Sequence, residues 1–509
     1  MKKFVVEFSV IKSLTDALTL FSTKDNVVSF TIGVKNPNGN NDEFLTASVS
    51  ITGNNCCATK MFATKMPSDY ELIEDKGAII PYAKFSVKAN KFISYANVLV
   101  SYEEDIAFTL DENRLTLDVG EKASVDLELV EDELSSSFPD EMGKSIVMIQ
   151  ASAASFMAFA KKACALAEKG EAITESVVIH VLEQGDNTLI RGFSTDKNCF
   201  SSDILTCEKV KLRKNFLAAH LLSEIALSLE GEVQNNYMNF LSSLAVEELP
   251  SFITYLLSKP QFDEAESEEN KDGSDADVNN PFKKFQEELI GANLKTLPSV
   301  AAEHELNLDR HTFVIHVDNF QIIQKLAGTA KNITFGISAN YCYVSCASTM
   351  AIFALKSDNP TWPNMMNKWN AIASNANCVV DAETLLKGLS IFSLDENANN
   401  IPVHITSNKS GLVFAKGTNK VVLPFVESDI QGKVDTYLSS KLLKKVVSNL
   451  DKGNLCFMIR DDNRVPVELH NGSLKEMSNA VAYLARVNPP KVGATKQETE
   501  TKKDSETND

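Results

Sequence analysis

Leu115-Thr-Leu-Asp-Val-Gly120 reads as a short apolar strand that closes on a small residue, and the phrase recurs along the chain. Its counterparts are Leu189-Ile-Arg-Gly-Phe193, Tyr341-Cys-Tyr-Val-Ser345, Leu412-Val-Phe-Ala-Lys-Gly417 and Val465-Pro-Val-Glu-Leu-His-Asn-Gly472, with a weaker copy at Ala47-Ser-Val-Ser-Ile-Thr-Gly53. Upstream of each lies a strand running into a lysine-bearing amphipathic stretch. A unit of strand, helix and further strands, met six times, indicates an architecture made by repetition.

In the first unit, residues 4–10 alternate as a strand, 11–21 have helical spacing, and 27–34 and 44–52 read as strands. The second unit has a helix at 89–100 followed by strands at 105–110, 114–119 and 123–129. The third has a strand at 146–151, a helix at 153–169 and strands at 176–183, 188–194 and 199–207. The fourth resumes only at 312, with a helix at 319–328, and the last two cover about 376–427 and 434–487. Pairing consecutive units predicts an α+β chain of three domains, 1–140, 141–360 and 361–488. The hinges fall at Ser135-Ser-Ser-Phe-Pro-Asp140 and Thr361-Trp-Pro-Asn364.

Residues 211–308 do not fit the repeat and interrupt the second domain. Helical patterns at 216–229, 237–244, 250–257 and 281–289 flank an acidic run, 262–280, with too little apolar area to order itself. The polar, aromatic-free stretch 489–509 reads as a flexible tail.

At 509 residues and 44% hydrophobic, the chain can bury several cores. Its nine cysteines include no CxxC pair and lie mostly in apolar patterns, which points to reduced thiols and a cytoplasmic location. Glu7 and Lys12 interrupt the apolar start, no cleavage site follows, and no apolar stretch is long enough to cross a bilayer. Neither a secretory leader nor a membrane partner is expected. Catalysis finds no support either: GxxxxGK[ST], HExxH and GxSxG are all absent, and the seven histidines are scattered. The expectation is a protein that is not an enzyme and has no cofactor or metal site.

The net charge of −18 argues against contact with nucleic acid. Its distribution argues the other way, because the six candidate helical segments together carry about +8. A ring around a duplex would need a closed sheet outside and a bore whose cations meet phosphates without reading bases. Lys12, Lys88, Lys91, Lys161, Lys162, Lys325, Lys441, Lys444 and Lys445 would line that bore, with Lys84, Lys169 and Lys387 beside them. Ordinary solvated lysines remain the alternative.

At Arg114–Gly120 through Ser137-Phe-Pro-Asp140, Leu189–Asp196, Asp358–Asn364 and Tyr437–Val487, the order and spacing of the motifs become specific. The chain resembles the bacterial DNA polymerase III beta sliding clamp over about residues 2–210 and 311–487. The resemblance implies a DNA-clamp fold of three domains per subunit, two subunits closing into a ring on double-stranded DNA. It implies a processivity factor, with a replicative polymerase and a clamp loader as partners. It places Lys24 at a basic DNA contact. It also implies a partner-peptide pocket between the second and third domains, walled by Thr195, Asp196, Lys197, Asn198, Cys199, Phe200, Pro363 and Asn367. Val481, Ala482, Tyr483, Leu484, Ala485 and Arg486 would complete the pocket, with ordinary sheet packing as the alternative.

Two stretches depart from the family. Lys197-Asn-Cys-Phe200 stands where Gly-His-Arg-Leu is usual, and Tyr483-Leu-Ala-Arg486 where Met-Pro-Met-Arg is. Closure as a homodimer would join the first domain to the third, with apolar side chains near Val125, Leu127, Phe392 and Leu394 packing there. The alternative is a clamp-fold scaffold that no longer encircles DNA. An enzyme gained through 211–308 has no motif in its support.

Overall fold

The computed structural model describes residues 1–23, 26–34, 44–53, 56–67, 70, 73–75, 78–131, 142–197, 199–258, 283–304, 306–356, 372–393 and 402–489. Six repeats of one βαβββ unit run through them. The first is β1 (Lys2–Val6), α1 (Phe8–Thr19), β2 (Val27–Val34), β3 (Phe44–Gly53) and β4 (Cys56–Lys65). After a short pair, β5 (Ile73–Asp75) and β6 (Ala78–Ile80), the second is β7 (Ala83–Lys88), α2 (Ala89–Val100), β8 (Ile106–Leu110), β9 (Arg114–Val119) and β10 (Ala123–Glu128). The third is β11 (Val147–Ser152), α3 (Ala153–Ala163), β12 (Ser176–Gln184), β13 (Asn187–Thr195) and β14 (Phe200–Leu205), extended by β15 (Lys209–Leu212).

Five helices interrupt the series: α4 (Lys214–Ser228), α5 (Gly231–Ser243), α6 (Leu249–Leu257), α7 (Lys283–Gly291) and α8 (Leu297–Glu303). The fourth repeat is β16 (Arg310–His316), α9 (Val317–Ala327), β17 (Asn332–Ile337), β18 (Tyr341–Cys346) and β19 (Thr349–Ala354). The fifth is β20 (Ala376–Asp381), α10 (Ala382–Ser393), β21 (Val403–Asn408), β22 (Gly411–Lys416) and β23 (Asn419–Pro424), extended by β24 (Glu427–Ile430). The sixth is β25 (Asp435–Leu438), α11 (Ser440–Asn449), β26 (Asn454–Ile459), β27 (Val467–Gly472) and β28 (Met477–Leu484). In all six, the recurring phrase is the second strand after the helix. Two of the small residues show a local reason. Gly417 turns at φ +59, while a Cβ on Gly192 would come within 2.5 Å of the Phe159 ring.

The chain forms two compact units. The first comprises Met1–Ala158, Val178–Ile190 and Leu205–Asn359. Ten of its strands run in the order β10-β9-β8-β1-β4-β19-β18-β17-β11-β15, and β2, β3 and β7 pair beside them. Stacked rings fill its core, with Phe4 against Phe108 at 5.0 Å and Phe30 against Phe85 at 4.9 Å. Helices α1 and α2 lie together on the sheet, burying Ile11, Leu14 and Leu18 against Phe92, Ile93 and Leu99. Phe156 of α3 meets Phe320 of α9 with ring centroids 5.8 Å apart.

The second unit comprises Phe159–Val177, Arg191–Ile204 and Pro360–Asp509. Its strands run β14-β28-β27-β26-β20-β24, and a second sheet runs β23-β22-β21-β25. Between them α10 and α11 pack on a core of Leu385, Leu389, Phe392, Leu443, Val446, Phe414 and Phe457.

Several expectations shift. Helix α3 ends at Ala163, so Lys169 lies beyond it. Lys209–Leu212 pair with Val147–Gln150, so the first two residues of the 211–308 segment belong to the sheet. Apolar periodicity alone does not separate that edge strand from the helix after it. Helix α8 had no counterpart in the sequence reading. All nine cysteines are free thiols. The hinges at 135–140 and 361–364 and the acidic run 262–280 lie outside the described residues. Among the described residues, no helix is long and apolar enough to cross a membrane.

Candidate functional site

The lysines expected to face DNA divide by their surroundings. Lys12, Lys84, Lys88, Lys91, Lys161, Lys169, Lys325, Lys387 and Lys441 are exposed, and Lys444 and Lys445 are half-buried. Lys24 lies outside the described residues. The exposed lysines of the repeat helices fall on the faces that do not pack, as amphipathic spacing requires. Net positive charge is uneven, however. Helices α1, α9 and α10 each balance one lysine with one acid, whereas α11 carries Lys441, Lys444 and Lys445 and no acid. Lys445 reaches Glu168 at 3.2 Å.

Lys162 departs from the expectation. Its side chain is only 10% exposed, with Nζ 2.5 Å from Asp451 and 3.8 Å from Asp203. The buried Ser201 hydroxyl donates to the Lys162 carbonyl at 2.6 Å. Burial pushes the Asp203 carboxyl up, and Lys162 opposes that shift. A buried ammonium held between two carboxylates is part of the unit's frame and cannot meet phosphates.

Residues expected to wall the peptide pocket meet where the β13–β14 hairpin pairs with β28 in the second unit. A tight turn closes the β13–β14 hairpin: Thr195 Oγ1 donates to the Cys199 carbonyl at 2.6 Å, and the Cys199 N–H donates to Asp196 Oδ1 at 2.8 Å. Lys197 sits in this turn at φ +81, a left-handed backbone that suits the glycine usual at that position in the resembled family. Its exposed ammonium pairs with Glu171. Strand β14 then pairs antiparallel with β28, bringing Phe200 opposite Tyr483 and Ser202 opposite Val481. Phe200, Val481 and Tyr483 form a small buried cluster, each under 10% exposed.

Ala482 and Leu484 point to the other face and into the unit's core. Burial, with Asp196 beside it, pushes the Cys199 thiol up to about 12, which makes it an apolar filler rather than a nucleophile. Arg486 donates to Asn463 Oδ1 at 2.7 Å and to the Arg460 carbonyl. Asn198, Pro363 and Asn367 lie outside the described residues.

One feature of this face was not legible in the sequence. Across β27, Glu468 stands opposite Tyr483 and His470 opposite Val481, so both share the face of the aromatic cluster. Glu468 is 7% exposed and receives Arg460 Nη2 at 2.8 Å and His470 Nε2 at 2.5 Å. Burial opposes its charge, but the bonds from His470 and Arg460 outweigh it and hold the carboxyl below its usual range. The alternation in Val467-Glu-Leu-His470 was the available signal, but it does not reveal Arg460 as the partner.

The residues named for the subunit contact also divide. Val125 is half-buried on β10, which ends the strand order of its sheet. Leu127 and Phe392 are 2% and 1% exposed inside the protomer, so their side chains have no surface left for a second copy. Leu394 lies outside the described residues. Among the described residues, no three His, Cys, Asp or Glu side chains gather as metal ligands.

No protein-family model and no curated protein matches the sequence. Solved structures do match. The DNA polymerase III beta subunit of Thermotoga maritima superposes with a TM-score of 0.60 at 10% identity, over 96% of this chain and 99% of that one. The beta subunit of Pseudomonas aeruginosa gives 0.59 at 10% identity, over 96% and 100%. The Helicobacter pylori beta clamp, solved with a DNA ligase peptide bound, gives 0.60 at 10% identity, over 96% and 100%. With six βαβββ repeats in the same chain, the conclusion is that this protein has the fold of the DNA polymerase III beta sliding clamps.

Proposed function

We propose that the protein is a DNA sliding clamp, two copies of which close head to tail into a ring that encircles duplex DNA and tethers a replicative polymerase. The observation that carries this reading is the sixfold βαβββ repeat, matched to whole beta clamps over nearly all of their length. Three domains, 1–140, 141–360 and 361–488, would then make half a ring, with β10 offering its edge to the partner. The exposed helix lysines would act together on phosphates, giving weak, sequence-independent and salt-sensitive binding. The face carrying Phe200, Val481 and Tyr483 would dock peptides of the polymerase and loader, as the H. pylori clamp takes a ligase peptide. This role asks for no catalysis and places the protein in the cytoplasm.

A second reading, a clamp-fold scaffold that does not encircle DNA, draws on the charge balance of α1, α9 and α10. Sedimentation equilibrium separates the two. The clamp reading expects about twice 55.9 kDa at micromolar concentration, and a persistent monomer favours the scaffold.

A further inference from the structure

We propose that the contact between α4 and β16 is an acid-operated latch that releases the helical insert from the sheet beneath it. His220 lies on α4, the first helix of the insert, and His311 on β16, the strand that the chain enters on leaving it. Their rings meet edge to face with centroids 5.7 Å apart. They line a cleft of about 260 Å³ with Glu224, Asn307, Arg310 and Thr312. His311 is 6% exposed, and its Nε2 is buried without a hydrogen-bond partner. The buried Thr312 hydroxyl has none either.

The charged groups around His311 offer its proton little help. On α4, Glu224 faces the other imidazole, 3.5 Å from His220 Nε2. On β16, the neighbouring Arg310 is a cation. Beyond the cleft, Lys214 at the start of α4 occupies both nearby acids, Asp309 at 2.6 Å and Glu183 at 2.9 Å. Burial and the His220 ring together hold the His311 imidazole down at about 3. The sign follows from this. A histidine that stays neutral when docked but titrates near 6.5 when released takes up its proton only in the released state, so falling pH favours release. Docking is unaffected above neutrality. Between pH 7.5 and 5.0 the released fraction should rise about thirtyfold.

The insert can leave as a body because Tyr237, Phe252, Tyr255, Phe285 and Leu289 give it a core of its own. Hydrogen exchange of the full chain at pH 7.5 and 5.0, corrected for the intrinsic rate, tests the latch. Amides at the two junctions where the insert joins the sheet, 213–217 and 306–309, should lose up to about thirtyfold in protection at pH 5.0, while those of α5, α6 and the rest of α4, which share one core, keep theirs. His311→Phe and His311→Gln, both unable to titrate, should each remove the pH dependence, and either alone suffices if the other folds poorly. Equal protection of the parent at both pH values would overturn the proposal. So would pH dependence that survives both substitutions, or loss of protection in α5 and α6 in step with the junctions.

Discussion

Adjacent lysines on one helix can belong to different parts of the protein. Lys161 is exposed, while Lys162 is buried between Asp203 and Asp451. Replacing Lys161 by alanine should change stability by no more than about 0.5 kcal/mol. Lys162→Ala strands Asp203 in a buried site, where loss of one partner of an ion pair costs about 3–5 kcal/mol. Urea denaturation of the two variants checks this, and equal midpoints would return Lys162 to the solvated set. The distinction was not legible from the chain, because Asp203 and Asp451 stand far apart in sequence and only the folded β14 and the turn after α11 bring them to Lys162. The aromatic cluster was more legible. Phe200 and Tyr483 were expected on one site, and strand register makes them direct neighbours. The Arg460–Glu468–His470 network beside them needs β26 and β27 paired, with Arg460 just past the end of β26.

At the scale of elements, the recurring phrase carried the reading, because a hairpin that closes on a small residue leaves a local mark. All six phrases lie in strands, and four insert helices fall within a few residues of their apolar patterns. Edges were harder. Strand β15 is short and pairs with β11, some sixty residues earlier, and nothing local in Lys-Val-Lys-Leu announces that partner. This makes the limits of the insert testable. Removing 214–308 and joining the ends with a short Gly/Ser link keeps β15 and should leave a folded protein. Removing 211–308 also strips Lys211 and Leu212 from Met148 and Val147, and should be less stable by on the order of 1–3 kcal/mol. Thermal unfolding of the two deletions decides. Equal stability would place β15 outside the core, and loss of folding in both would make the helices part of it.

For the whole molecule, the acidic balance ceases to be an objection once it is located. Residues 214–308 hold six basic and seventeen acidic side chains, a net −11 out of −18. The rest of the chain carries the remaining −7, so its exposed helix lysines are opposed by a weaker general field than the total suggests. A topological tether asks only for this much attraction, since retention comes from closure and not from affinity. Closure is therefore the central claim. It is tested most directly by re-forming dimers from dissociated protein in the presence of a circular plasmid and passing the mixture over a sizing column. The account predicts that dimeric protein travels with the plasmid, stays through a salt wash, and falls away when a single cut makes the DNA linear. Protein that is dimeric but never travels with the circle, or that stays equally on circular and linear DNA, would contradict it.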